Sequence, residues 1–184
     1  VHTVSMMSTI QSLGFSATGE HLMFCTSVFG SKTLRTVSLQ DGLPGEDSAE
    51  LALPLEYSGR VISYELSPHA DVCAIRLFDQ NGGGEALYAI DLNQGSGSLQ
   101  RMTTGEISET FERTSPQFAW LPSGEGADLH VLVYRSDVGA EEGEFQLYAK
   151  EMAEGTNAWR IDTDGGVNHN AAVSSFAISP DGTK

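Results

Sequence analysis

Cysteine is scarce. The chain has only Cys25 and Cys73, so no disulfide framework holds it together. Each sits in an apolar, strand-like run, at 21–25 and 71–75, where a thiol acts as a small buried hydrophobe. With no Cys-x-x-Cys pair and no Cys/His cluster, a structural zinc site is not expected. Positive charge is equally sparse, ten Lys and Arg against 25 Asp and Glu, for a formal charge of -15. Such a surface repels phosphate backbones, because nucleic-acid affinity rests on cationic side chains releasing counterions. Nucleic acids and anionic membranes therefore fall outside the expected partners. No apolar run approaches the roughly 18 residues of a membrane span, and the first twenty residues lack a basic segment followed by an apolar one. Membrane insertion is not expected.

Catalytic signatures are missing too. A serine hydrolase carries its nucleophile in Gly-x-Ser-x-Gly on a strand-to-helix turn. Gly95-Ser96-Gly97-Ser98 has the wrong spacing and reads as a hairpin loop. There is no His-Glu-x-x-His, and Gly82-Gly83-Gly84 follows Asp79-Gln80-Asn81 with no helix after it, so it reads as a loop and not as a phosphate cradle. Asp162-Thr163-Asp164-Gly165-Gly166 begins like a calcium loop, but the remaining ligands and distal Glu are absent. It reads as an exposed turn, and His169, between Asn168 and Asn170, as a solvated loop histidine. No catalytic residue, metal set or cofactor is expected.

No window shows a sustained i, i+3, i+4 apolar stripe, and the Glu-rich stretch 139–149 is interrupted by Gly143, so an all-β chain is expected. What is present is a repeat. An apolar strand, a small residue with Pro or Ala, a tight turn and a second apolar strand recur at 13–19, 64–70, 118–124 and 176–182. The anchors Ala17, Pro68, Pro122 and Pro180 are 51, 54 and 58 residues apart. Pro fixes φ at the first central turn position, Asp bonds the backbone ahead of it, and Gly accepts positive φ, so the motif is structural. Second strands are expected at 22–26, 72–77 and 129–134, third strands at 33–37, 86–90 and 145–149, and fourth strands at 50–53, 99–103 and 158–162. An inner strand is expected at 174–179 and an outer strand at 3–7. Four antiparallel strands per repeat of about fifty residues are what one blade of a β-propeller needs. Trp120 is expected in the core between blades and Trp159 on an outermost strand.

Phe176-Ala177-Ile178-Ser179-Pro180-Asp181-Gly182, together with Leu87-Tyr88-Ala89-Ile90-Asp91-Leu92 and the following 99–103 strand, resembles the TolB-type propeller repeat. The propellers of prolyl oligopeptidase-family serine peptidases use a similar pattern. Ala17-Thr18, His69-Ala70 and Ser123 depart from it. On this reading residues 1–184 form a single incomplete β-propeller, with blades at about 12–56, 62–104 and 116–163 and a partial one at 174–184. A ring takes about four to eight blades. The rest is expected from chain outside this sequence, which starts at Val1 and stops within a hairpin. The resemblance implies a periplasmic or envelope location for a bacterial protein.

Loops between second and third strands, and the long connection from the second blade to the third, share one end of a propeller. Loops on a rigid scaffold commonly carry binding. The candidate binding residues there are Phe29, Phe78, Asp79, Phe111, Arg113, Asp137, Glu141, Glu142 and Glu144. Phe29, Phe78 and Phe111 would be apolar anchors, and the carboxylates a collar steering a cationic partner. The expected function is a non-catalytic, protein- or peptide-binding scaffold. The alternative is the substrate-gating propeller of a prolyl oligopeptidase-like peptidase whose catalytic domain lies outside these residues.

Overall fold

The alternating apolar runs form strands in the computed structural model, which describes residues 8–28, 31–40, 43–53, 61–78, 84–105, 107, 118–122, 130–138, 144–153, 155–161, 173 and 176–179. Blade 1 consists of β1 (Ser8–Phe15), β2 (His21–Val28), β3 (Ser31–Gln40) and β4 (Leu43–Glu50). Blade 2 consists of β5 (Val61–Leu66), β6 (Val72–Phe78), β7 (Glu85–Asp91) and β8 (Gln100–Arg101). Blade 3 consists of β9 (Phe118–Trp120), β10 (Val131–Ser136), β11 (Gln146–Glu151) and β12 (Trp159–Arg160). Every sheet is antiparallel, with its strands side by side in chain order. No α-helix occurs among the described residues, and the fold is an all-β propeller fragment.

Gly95–Ser98 lies in the hairpin between β7 and β8, as expected, and there forms a 3-10 turn closed by the Ser98 hydroxyl donating to the Gly95 carbonyl at 2.8 Å. The fourth strand expected at 50–53 runs earlier, over Leu43–Glu50, despite Pro44. An edge strand tolerates Pro because one side of its backbone has no ladder partner. The strand expected at 3–7, the 162–166 turn and His169 lie outside the described residues.

Main-chain hydrogen bonds fix the repeat residue by residue. Leu39 donates to Glu20, Leu92 to Asp71 and Met152 to His130 across the same point of each blade. Further out, Leu51 donates to Leu34, Met102 to Leu87 and Ile161 to Leu147. The first turn is closed by Ser16, Ser67 and Leu121 donating to His21, Val72 and Val131, each at 2.9 Å. In the first copy Gly19 turns the chain at φ 76°, a conformation that suits a residue without Cβ. Even the irregularity repeats: β1 bulges between Ile10 and Ser12, and β5 between Val61 and Ser63. A bulge bends its strand and raises local twist, so the first strands of these two blades are shaped alike.

Each blade packs its rear on the front of the next. Met23, Cys25, Leu34 and Leu51 of blade 1 form one core with Tyr64, Leu66, Cys73 and Ile75 of blade 2. Val72, Ala74, Leu87, Ala89 and Met102, on the other face of blade 2, form a second core with Phe118, Trp120, Leu132 and Tyr134. Gly14 allows the closest approach at the first interface, since a Cβ there would lie 2.9 Å from Leu66 Cδ1. Both cysteines are free and buried, and burial pushes both thiols up from their ordinary pKa. Trp120 is in the second core as expected, its indole N–H donating to the Glu65 carbonyl at 3.2 Å.

A polar latch joins blades 1 and 2 at the end that carries the first turns. The Thr18 hydroxyl lies 2.8 and 2.7 Å from the two Asp71 carboxylate oxygens, and the Thr18 amide donates to Oδ1 at 3.3 Å. Asn93 reaches the same carboxylate at 3.5 Å through its amide, while its Oδ1 meets His21 Nε2 at 2.9 Å. Burial alone would raise the Asp71 pKa, but the hydrogen bonds from Thr18, Ser16 and Asn93 together hold it below the ordinary value. A depressed carboxyl pKa contributes stability that is present above the unfolded value, near about 3.9, and is lost as pH falls through the folded value. Urea unfolding at neutral pH and near pH 3 should therefore show the native chain losing an acid-sensitive component that Asp71→Asn lacks. Asp71→Asn should also cost on the order of 1–3 kcal/mol at neutral pH. Identical pH dependence of the two proteins would refute the latch.

Candidate functional site

The end opposite the latch carries the loops between second and third strands, and its base is charged. Arg76 lies near the end of β6 and Arg135 near the end of β10. These are the same position of the repeat, because Cys73 and Leu132 pair with the residues that close β5 and β9, Leu66 and Trp120. Both arginines are only 9% exposed. An isolated buried guanidinium is costly, so each requires a partner.

The two blades solve this differently. In blade 2, Glu85 at the start of β7 forms a buried ion pair with Arg76, accepting from both Nε and Nη2. The matching residue in blade 3, two before Leu147 as Glu85 is two before Leu87, is Phe145. The Arg135 guanidinium lies over that ring, 4.8 Å from its centroid, a cation–π contact in place of an ion pair. Its Nε is buried without a hydrogen-bond partner. Burial, and after it the charge of Arg76, lower the Arg135 pKa. Nothing in the period-2 pattern marks these arginines as paired across the repeat. The signal was available in the alignment of copies, which places Arg76 over Arg135 and Glu85 over Phe145.

Glu85 also ties down the connection between blades. Its amide donates to the Ile107 carbonyl at 2.8 Å, and the Ile107 amide returns a bond at 2.7 Å. Ile107 is thereby held against the start of β7, at the β6–β7 end of blade 2. Of the candidate binding residues, Phe78 closes β6 and is half-buried, opposite Glu85 in the ladder. Glu144 precedes Phe145 and is half-buried. Asp137 directly follows β10 and is buried, 7% exposed, so it belongs to the loop base and not to an exposed collar. Phe29, Asp79, Phe111, Arg113, Glu141 and Glu142 lie outside the described residues. The end of β10 is shaped by hydrogen bonds: Ser136 Oγ accepts from the Val138 amide at 3.1 Å, and the Tyr148 hydroxyl donates to the Val138 carbonyl at the same distance.

No group of three or more His, Cys, Asp or Glu able to hold a metal occurs among the described residues. The arrangement offers rigidly rooted loops, a paired arginine and an aromatic-backed one.

No protein-family model matches the chain, and no curated protein matches it. Among solved structures it is similar to the crystal structure of TolB from Acinetobacter baumannii, at 14% identity and a TM-score of 0.45, over 83% of this chain and 32% of that one. The chain thus spans about a third of that protein's length. The blade assignment rests on the chain's own strand register and packing.

Removing one partner of a buried pair strands the other charge. Glu85→Gln should therefore lower stability by about 3–5 kcal/mol in denaturant unfolding, whereas Arg76→Met combined with Glu85→Leu should cost much less. Equal losses in the single and double variants would contradict a buried pair at this position.

Proposed function

We propose that the chain is a non-catalytic binding module that recruits a protein or peptide partner through the loops at the Arg76 and Arg135 end. The observation that carries this reading is the anchoring of successive loops at equivalent points. One is rooted by the Arg76–Glu85 ion pair and the Ile107 bridge, the other by Arg135 on Phe145 and by Tyr148 on Val138. Rigid roots reduce the ordering cost of binding. Asp79 in one loop segment, and Glu141, Glu142 and Glu144 in the next, give these loops a predominantly acidic sequence, in keeping with a chain of formal charge -15. Their partner in this reading is cationic, and Phe78 and Phe111 supply apolar anchors beside the charges.

Immobilised protein offered Lys/Arg-rich and Asp/Glu-rich peptides should retain the basic set. Retention should weaken as salt rises from about 0.05 to 0.5 M, because exposed charges are screened over a shortening Debye length. The triple change Glu141→Gln, Glu142→Gln, Glu144→Gln should abolish most of it. Salt-independent retention, or equal retention of acidic peptides, would overturn the proposal.

A further inference from the structure

One pair of repeat positions is filled in three different ways. Cys25, Arg76 and Arg135 stand opposite Leu34, Leu87 and Leu147 in their ladders. Two residues before those leucines come Lys32, Glu85 and Phe145. Blade 1 thus sets a buried thiol beside the charge of a half-buried lysine. Blade 2 sets a buried guanidinium against a buried carboxylate. Blade 3 keeps the guanidinium and puts a phenyl ring where the carboxylate stood.

A ring does not replace a carboxylate in kind. It attracts the cation through its face, whereas the N–H groups of a guanidinium lie in the plane and need acceptors at the edge. At Arg76 that edge is met, because Glu85 accepts from Nε and Nη2. At Arg135 the ring lies under the guanidinium, and Nε is buried with no hydrogen-bond partner. No ion pair joins Arg135 to an acid among the described residues, Asp137 two residues on included. The residue is only 9% exposed, so bulk water meets little of it, and a buried donor without an acceptor is costly. Blade 3 therefore carries a charge-bearing donor edge that blade 2 satisfies from within its own sheet.

We propose that Arg135 is a receptor for a carboxylate of the bound partner, which accepts from its guanidinium edge as Glu85 accepts from Arg76. The proposal deepens the reading of this end as the binding end and rests on it. Stacking on Phe145 fixes the plane of the guanidinium in advance, so little order is lost when the edge is met. A carboxylate suits the site better than a phosphate, because a chain of formal charge -15, with Glu144 next to Phe145, opposes a dianion more than a monoanion. The partner this describes is a basic peptide that also offers one carboxylate, at its C-terminus or on an Asp or Glu side chain. Its cationic groups meet the acidic loops, and its single anion meets the one guanidinium whose edge the chain leaves unmet among the described residues.

Arginine side-chain NMR of the unaltered full chain tests the receptor without a peptide and without any variant having to fold. Titrated with N-acetylglycine, the Arg135 Nε–H resonance should shift saturably, while that of Arg76, already paired, should stay in place. N-acetylglycinamide, which lacks the carboxylate, should move neither. A still Arg135 signal, or equal shifts with both probes, would overturn the proposal. Arg135→Lys identifies the resonance by its loss, and Phe145→Glu, which supplies an acid from within the sheet, should abolish the response. Basic peptides then identify the source of the carboxylate. One with a free C-terminus and no internal acid, or one amidated with a single internal Glu, should bind about tenfold tighter than the amidated peptide with Gln in that place. Equal retention of all three would reject the Arg135 receptor and leave the loop reading standing. Retention of none would reject the loop reading, and the N-acetylglycine titration alone then decides for Arg135.

Discussion

A four-stranded sheet with apolar residues on both faces cannot cover either of them by itself, and every other feature of this molecule answers to that constraint. Burying one large aliphatic side chain contributes about 1.5–3 kcal/mol, so a face of four or five such residues outweighs any single polar contact nearby. The faces meet in one sense only, rear to front. Large first-strand residues such as Leu66 and Trp120 enter a neighbour whose second strand offers smaller ones, as at Cys25 or Ala74. On the front of blade 1, where no sheet packs among the described residues, Leu13 and Phe15 are exposed.

Polar groups trim this packing and do not drive it. The Asp71 latch holds the first interface at one end, and Lys150 Nζ donating to the Arg101 carbonyl at 2.7 Å ties the second. Neither device repeats. Asp71 stands where blade 1 has Glu20 and blade 3 has His130, and Asn93 where blade 3 has Ala153. Repeat proteins are held by nearest-neighbour interfaces, so each seam is free to acquire its own hydrogen bonds once the shared apolar positions are kept.

The architecture was legible in the sequence because strand alternation and turn chemistry are local. Ser-Pro at 67–68 and the Gly19 turn announce their hairpins through backbone preference alone. What could not be read lies in contacts between distant residues. The short β8 and β12 and the early β4 depend on where an outer strand meets its neighbour, which Pro44 and Gly45 argue against locally. At the loop-bearing end, the acidic run after Val138 reads as a collar, but Asp137 is drawn into the base. Nothing local marks Arg76 and Arg135 as buried, since burial of a cation depends on a partner nine or ten residues away in the next strand.

The two thiols have a consequence for how this molecule could be watched. Cys25 comes from the first blade and Cys73 from the second, and both are sealed in the one core that those blades share. The chain has no other sulfhydryl. A thiol-specific dye therefore gains access only when that seam parts, and stays blind to events between the second and third sheets. The protein is already wired as a reporter on one hinge, with the neighbouring hinge silent.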